Sequence, residues 1–211
     1  MVGYDPVTLL VNAYTDVAAS SWYYEAVAFG SYHGLYGGYG NGIFAPQDSM
    51  TRAMFVQVLA NLNEQIENGE WRIENEDEGH DGNSQFTMHN AQFIDVPEGA
   101  WYYDAVTWAA ESGIVSGVGD GRFGPDRAIS RQEIAVMLSN YANFKGYAIP
   151  VYREMPNFTD QDSIASWALA ASSALAEAGV INGSNNHFYP QENATRAEVA
   201  QMFKNFLRFV V

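Results

Sequence analysis

The apolar positions of this chain fall into three stripes. Phe55, Val58, Leu59 and Leu62 stand at i, i+3, i+4 and i+7. Ile134, Met137, Leu138 and Tyr141 repeat that spacing, and so do Val199, Met202, Phe203 and Phe206. Such spacing lines one face of an α-helix. Each stripe opens on a variant of one tetrapeptide: Thr51-Arg52-Ala53-Met54, Ser130-Arg131-Gln132-Glu133 and Thr195-Arg196-Ala197-Glu198. A Ser or Thr with Glu three residues on is a capping box, in which the hydroxyl accepts the N3 amide and the Glu reaches back to the N-cap amide. That accounts for Ser130 with Glu133 and Thr195 with Glu198. It does not account for the arginine at N1, where a cation opposes the helix dipole. The chain has only ten Lys plus Arg, yet places one here every time. An anion beside each is called for, either a carboxylate of the protein or a ligand.

The stripes belong to a larger internal repeat. Anchored on Asp16, Asp95 and Asp160, an arginine follows at +36, a proline at +30 (Pro46, Pro125, Pro190) and a phenylalanine at +28 (Phe44, Phe123, Phe188). Between them lie a tryptophan and, twelve residues later, a glycine: Trp22/Gly34, Trp101/Gly113 and Trp167/Gly179. The third repeat has one extra residue before its Trp and one fewer before its Phe. Each unit reads as a turn led by Asp, a short helix from the Trp to the Gly, a Gly/Asn/Asp-rich loop, and the capped second helix. The Gly is expected as a left-handed helix stop. Ala26, Ala105 and Ala171 at Trp+4 would permit close helix approach. Units of about 50–60 residues are marginal alone, so the three second helices are expected to bury their stripes against one another.

These residues resemble the S-layer homology domain family. In the second repeat the match is Phe93-x-Asp95-Val96, Trp101, Gly113-Ile114, Gly117-x-x-Asp120-Gly121-x-Phe123-x-Pro125 and Ser130-Arg131-Gln132-Glu133. The first repeat departs at Met54, where the motif has Glu, and the third has Asn185-Asn186-His187 in place of the Asp-Gly loop. The resemblance implies an all-α fold, with three helix–loop–helix repeats in a pseudo-threefold spindle around a central three-helix bundle. It divides the chain into residues 1–62 (first repeat), an acidic insertion or linker at 63–92, and repeats at 93–147 and 148–211. It also implies a non-catalytic module at the bacterial cell surface. Such a module would hold acidic, pyruvylated secondary cell-wall polysaccharide in grooves between repeats, without cofactor, as part of a larger surface protein.

The remaining composition narrows the classes of partner. A net charge of −15 argues against nucleic acid. Cysteine is absent, which excludes disulfides and thiol catalysis. No apolar run approaches the roughly 18 residues of a membrane span, and Met1-Val2-Gly3 starts no basic leader, so an exported form is expected to be a fragment or processed product. Much of the acidity lies in 63–92, with Glu64, Glu67, Glu70, Glu74, Glu76, Asp77, Glu78 and Asp81. That stretch reads as a solvated loop, as a hairpin pairing Trp71–Glu74 with Gln85–Met88, or as a calcium loop that lacks its closing Glu at Met88. Gly119-x-Gly121-x-x-Gly124 fits a dinucleotide fingerprint in spelling alone, because no βαβ unit surrounds it. The histidines show no metal spacing.

The candidate site is therefore carbohydrate-binding, with no catalytic or metal residue. Arg52, Arg131 and Arg196 can clamp a carboxylate as a bidentate fork at a helix N-terminus, or pair internally with Asp16, Asp95, Asp160 or a neighbouring Glu. Trp22, Trp101 and Trp167 can stack on sugar C–H faces, or wedge each first helix against the bundle. The adjacent Tyr23, Tyr24, Tyr102 and Tyr103 are expected to be exposed. Asp16, Asp95, Asp160, Glu133 and Glu198 can accept sugar hydroxyls or cap turns. Gly42 and Gly121 can admit a sugar to the backbone or serve as turn residues. Two rivals stand beside this reading. One is a protein–protein surface-layer scaffold working through the acidic stretch. The other is a glycan-acting enzyme, for which no carboxylate pair breaks the threefold pattern.

Overall fold

The computed structural model describes residues 13–69 and 93–210. Among them lie six α-helices, two short 3-10 turns and no β-strand. The helices come in three pairs: α1 (Tyr24–Tyr32) with α2 (Arg52–Glu67), α3 (Tyr103–Glu111) with α4 (Arg131–Lys145), and α5 (Leu169–Glu177) with α6 (Arg196–Phe206). Each first helix begins two residues after its tryptophan, not at it. The chain turns first, with the amide of Tyr24 donating to the Ser21 carbonyl and that of Tyr103 to Ala100.

The first helices stop for a local reason. Gly34, Gly113 and Gly179 have φ of 66°, 69° and 70°, a conformation that costs a residue with a Cβ. The glycine amides donate to the carbonyls of Ser31, Ala110 and Ala176, and the next residues, Leu35, Ile114 and Val180, donate to Gly30, Ala109 and Leu175. That double closure is the Schellman motif. Its apolar member is buried each time, so the stop also adds to the core.

The loop that follows is a small hairpin. Asn41-Gly42, Asp120-Gly121 and Asn185-Asn186 all have positive φ at both residues, which makes each a type I′ turn. Asn tolerates this region better than other side chains, so Asn186 can replace glycine. In the first two repeats Tyr39 and Val118 donate across to Ile43 and Arg122, whose amides return to Gly40 and Gly119. The extra residue there is a bulge with a left-handed glycine. In the third repeat Ser184 and His187 exchange both bonds directly. The residue missing from that repeat is the bulge.

The repeats are linked in cyclic order. Helix α3 packs on α2, α5 on α4, and α1 returns to α6. Each close helix contact thus joins a first helix to the second helix of the preceding unit. Ala26 and Ala105 are buried, while Ala171 is only partly so. The second helices meet through large rings, with Phe55 against Phe203 at 5.4 Å and Tyr141 against Phe206 at 6.2 Å. Where they start, Met50 donates to Ala194, Ala194 to Ile129, and Ile129 back to Met50, at 2.9–3.0 Å. This closed ring of buried amides sets the three N-caps side by side. Helix α2 runs on to Glu67, into the acidic stretch. The hairpin and calcium-loop readings of that stretch concern segments outside the described residues.

Candidate functional site

The motif arginines emerge from the first residue of α2, α4 and α6, and each crosses to the next repeat. Arg52 donates from Nε to the Phe123 carbonyl at 2.9 Å and from Nη2 to Ser116 at 3.0 Å. Arg131 does the same to Phe188 at 2.8 Å and Asn182 at 2.9 Å. Arg196 closes the circle to Phe44 at 2.8 Å and Gly37 at 2.7 Å. Each guanidinium also lies over the ring of the phenylalanine whose carbonyl it binds, 4.5–5.9 Å from the centroid. The remaining nitrogen separates the three. Arg52 Nη1 meets Glu133 at 2.9 Å and Arg131 Nη1 meets Glu198 at 3.1 Å. For Arg196 that carboxylate is missing, because Met54 occupies the corresponding place, and no ion pair replaces it among the described residues.

All three arginines are buried, at 3%, 5% and 5% exposure. Burial pushes Arg52 and Arg131 below the ordinary guanidinium range, against the pull of Glu133 and Glu198. Both remain charged, since an arginine starts from above about 12. Thus the N1 cation is explained by the fold: it satisfies two loop carbonyls of a neighbouring repeat and, in two places, a carboxylate. Glu133 and Glu198 also close capping boxes on Ser130 and Thr195. Burial pushes Glu133 up. Arg127, the amide and hydroxyl of Ser130, and Arg52 outweigh it and hold the carboxyl low.

The aspartates hold the loops. Asp16 accepts the amides of Phe44 and Ala45, Asp95 those of Phe123 and Gly124, and Asp160 those of Phe188 and Tyr189, at 2.7–2.9 Å. Ala45, Gly124 and Tyr189 all have positive φ. The paired acceptor thus stabilises a backbone turn that Ala and Tyr adopt only at a cost. Burial is the largest single influence and raises these carboxyls, but the backbone amides together outweigh it, for a net shift downward. The carbonyls of Gly42 and Gly121 accept from Thr15 and Ile94, which fastens each hairpin to the start of its own repeat.

The tryptophans face outward. Trp22, Trp101 and Trp167 are 62%, 61% and 59% exposed. Such exposure is unusual for so large a ring in one place and occurs here three times. The neighbouring tyrosines depart from expectation: Tyr23 is buried, and Tyr24, Tyr102 and Tyr103 are half-buried. Tyr23 and Tyr102 stand edge-on to their tryptophans at 5.1 Å and support the exposed indoles.

A groove of about 1030 Å³ opens beside Arg52. One wall is the 114–118 loop with the first turns of α4; the other is Trp167, Gln191 and Asn193 of the third repeat. Arg127 and Glu133 stand within it. Among the candidate residues, this brings together Arg52, Glu133 and Trp167; the three aspartates lie outside its lining. Two groups went unread in the sequence. Asn61, Asn140 and Asn205 follow the arginines at +9 and bind the carbonyls of Leu35, Ile114 and Val180; the repeat spacing carried that signal. Arg127 had none, because its counterparts are Asp48 and Glu192. Among the described residues no His/Asp/Glu group is placed to hold a metal ion, and no helix is long and apolar enough to cross a membrane.

An all-helical repeat stapled by N1 arginines, with an exposed tryptophan in each unit and an open groove beside Arg52, is the class that these features define. The S-layer homology domain family model matches residues 13–54, 92–135 and 157–200, and the chain belongs to that family. An amylopullulanase of Thermoanaerobacterium thermosulfurigenes is 30% identical over 78% of this chain and 8% of its own length. An S-layer protein of Bacillus licheniformis is 32% identical over 52% of the chain and 12% of its own length. A surface-layer 125 kDa protein of Lysinibacillus sphaericus is 27% identical over 84% and 13%. The chain therefore spans only a small part of the length of these relatives. Membership puts it at the bacterial cell surface, as a cell-wall anchoring module.

Proposed function

We propose that the chain anchors a larger surface protein without catalysis of its own, by holding an acidic, pyruvylated secondary cell-wall polysaccharide in the grooves between repeats. The observation that carries this reading is the threefold exposure of Trp22, Trp101 and Trp167. One of them lines an open groove with Arg52, and the cyclic contacts relate the other two to Arg131 and Arg196. An indole offers its face to sugar C–H bonds and its N–H to a hydroxyl. In this reading the arginines form the cationic groove floor. Glu133 and Glu198 reach hydroxyls at the groove edge. Asp16, Asp95 and Asp160, with Gly42 and Gly121, keep the hairpin walls in shape. Three weak sites on one polymer raise retention well beyond any one of them.

The test falls on the exposed rings, since truncating the buried arginines would disturb the fold. With Trp22, Trp101 and Trp167 all changed to Ala, the chain should keep its melting temperature and cease to co-sediment with isolated cell walls. Wild type should also fail to sediment with walls stripped of their secondary polysaccharide by hydrofluoric acid. Full sedimentation with the stripped walls would overturn the reading.

A further inference from the structure

We propose that the three repeat boundaries differ in kind, and that an anionic group of the ligand, a carboxylate borne on a sugar, is taken by Arg127 in the groove lined by Arg52 and Trp167. This rests on the polysaccharide reading above and sharpens it to one groove and one residue that the triplicated motif does not contain.

The three residues that stand four before the motif arginines occupy equivalent places. The carbonyl of Arg127 accepts the amide of Arg52, that of Glu192 the amide of Arg131, and that of Asp48 the amide of Arg196. Their side chains differ in sign. Beside Arg52 stand Arg127, Glu133 and Asp95, which leaves the set balanced. Beside Arg131 stand Glu198, Glu192 and Asp160, which leaves two negative charges in excess. Arg153 reaches the same loop, offsets one of those charges, and has its donors engaged by the Ala176 carbonyl and Asn182. Beside Arg196 stands Asp48, with Met54 where the Glu would be. The same contrast appears in the electrostatics: Arg127 lowers the proton affinity of Arg52, whereas Glu192 raises that of Arg131.

Arg127 is also built to receive a ligand. Its side chain is 47% exposed, whereas Arg52 is 3% exposed and has each of its three nitrogens engaged. One guanidinium nitrogen pairs with Glu133. The other donors have no protein partner among the described residues, and a guanidinium carries five N–H groups in a fork that fits a carboxylate. Glu133 is already bound by Arg52 and Ser130, so Arg127 is the cation there that stays open to a ligand. Trp167 stands exposed on the same groove, placed to stack on the sugar that carries the acid. The whole chain is strongly acidic, but screening over about 8 Å in physiological salt leaves the local cation in control.

The experiment is calorimetric titration of the whole chain with two probes. One is purified wall polysaccharide. The other is the same polymer after mild acid treatment, which removes ketal-linked pyruvate and leaves uronates. Arg127→Glu and Arg127→Gln should each weaken binding of the native polymer by about tenfold or more, the size of one charge-assisted contact. Both should remain folded, with a melting temperature lowered modestly by loss of the Glu133 pair, more for Glu than for Gln. Arg208→Gln removes the same charge outside the groove lining and should leave affinity unchanged. Glu192→Arg should tighten binding. If acid treatment weakens wild type and abolishes the effect of Arg127→Gln, the carboxylate is pyruvate; if it changes neither, the carboxylate is a uronate. Wild-type affinity in a folded Arg127→Glu variant overturns the assignment while leaving the anchoring function intact. No binding by wild type to either probe overturns both.

Discussion

Arg131 and Glu198 meet across the boundary of the second and third repeats at 3.1 Å, whereas Arg196, the next arginine in the cycle, has Met54 in the place of that glutamate. The third boundary keeps a surface pair, Lys204 with Glu25, but among the described residues it lacks both the motif ion pair and a capping box: Thr51 accepts the Met54 amide, but no side chain reaches back to the Thr51 amide. Met54→Glu should restore both. The expected gain is about 1 kcal/mol, from the cap and a partly buried pair, reduced by the lost packing of a half-buried methionine. Denaturant unfolding measures it, with Arg196→Lys as the background in which the gain should shrink. A less stable Met54→Glu chain would show that methionine packing outweighs the pair.

Arg131→Ala should act on folding before it acts on binding. The guanidinium satisfies the carbonyls of Phe188 and Asn182 and the carboxylate of Glu198 from a buried position. Removing it leaves three acceptors unpaired, for a loss of about 3–5 kcal/mol. Arg131→Lys should recover only part, because an ammonium cannot span the three acceptors in one plane. Urea midpoints of the two variants check this.

What could be read in the sequence was what is local. The helix stops at Gly34, Gly113 and Gly179, the capping boxes at Ser130 and Thr195, and the hairpin turns depend on residues a few positions apart. Repetition of those residues made them visible. The partner of each arginine was not legible as a single answer, since Arg196 binds Phe44 across 152 residues of chain and several acids were equally available. Nor could periodicity say that the tryptophans face solvent while Tyr23 turns inward, because both follow from how the turn before each first helix is set. Arg127 stayed hidden for the opposite reason: it breaks the repeat, and a pattern built on repetition passes over the position that differs.

Acid should loosen the hairpins in concert. Asp16, Asp95, Asp160 and Glu133 all hold their protons less tightly in the fold than ordinary carboxyls do. Near pH 4 the unfolded chain therefore binds more protons than the folded one, so stability rises with pH there and is lost as pH falls through that range. Asp95→Asn should flatten this dependence and lower stability at neutral pH by about 1 kcal/mol, since one amide acceptor is lost. Melting temperatures from pH 7 down to pH 3, for wild type and variant, decide it.

Ser172 is buried, and its hydroxyl has no hydrogen-bond partner among the described residues. The equivalent residues of the other repeats are Val27 and Val106, both fully buried. Ser172→Ala should stabilise the chain by about 1 kcal/mol, by removing an unsatisfied polar group from the α4–α5 contact. A thermal melt of the variant suffices as the check; a loss of stability would mean that the hydroxyl finds a partner in solution.

Tyr141 presents the same problem with a titratable group. Its ring is fully buried against Phe206 and Trp108, and the phenol oxygen has no hydrogen-bond partner among the described residues. Burial, with smaller contributions from Tyr147 and Glu67, pushes the phenol far above its ordinary value. In the unfolded chain it ionises near pH 10. Above that pH the unfolded state has released a proton that the folded state retains, so stability falls as pH rises further. The counterparts of Tyr141 are Phe206 and Leu62, and neither titrates. Tyr141→Phe should therefore unfold no more easily than wild type at pH 7, and should lose less stability between pH 9 and pH 11. Some alkaline loss should remain in the variant, because burial also raises Tyr36. Equal losses in the two chains would place the Tyr141 hydroxyl in contact with water.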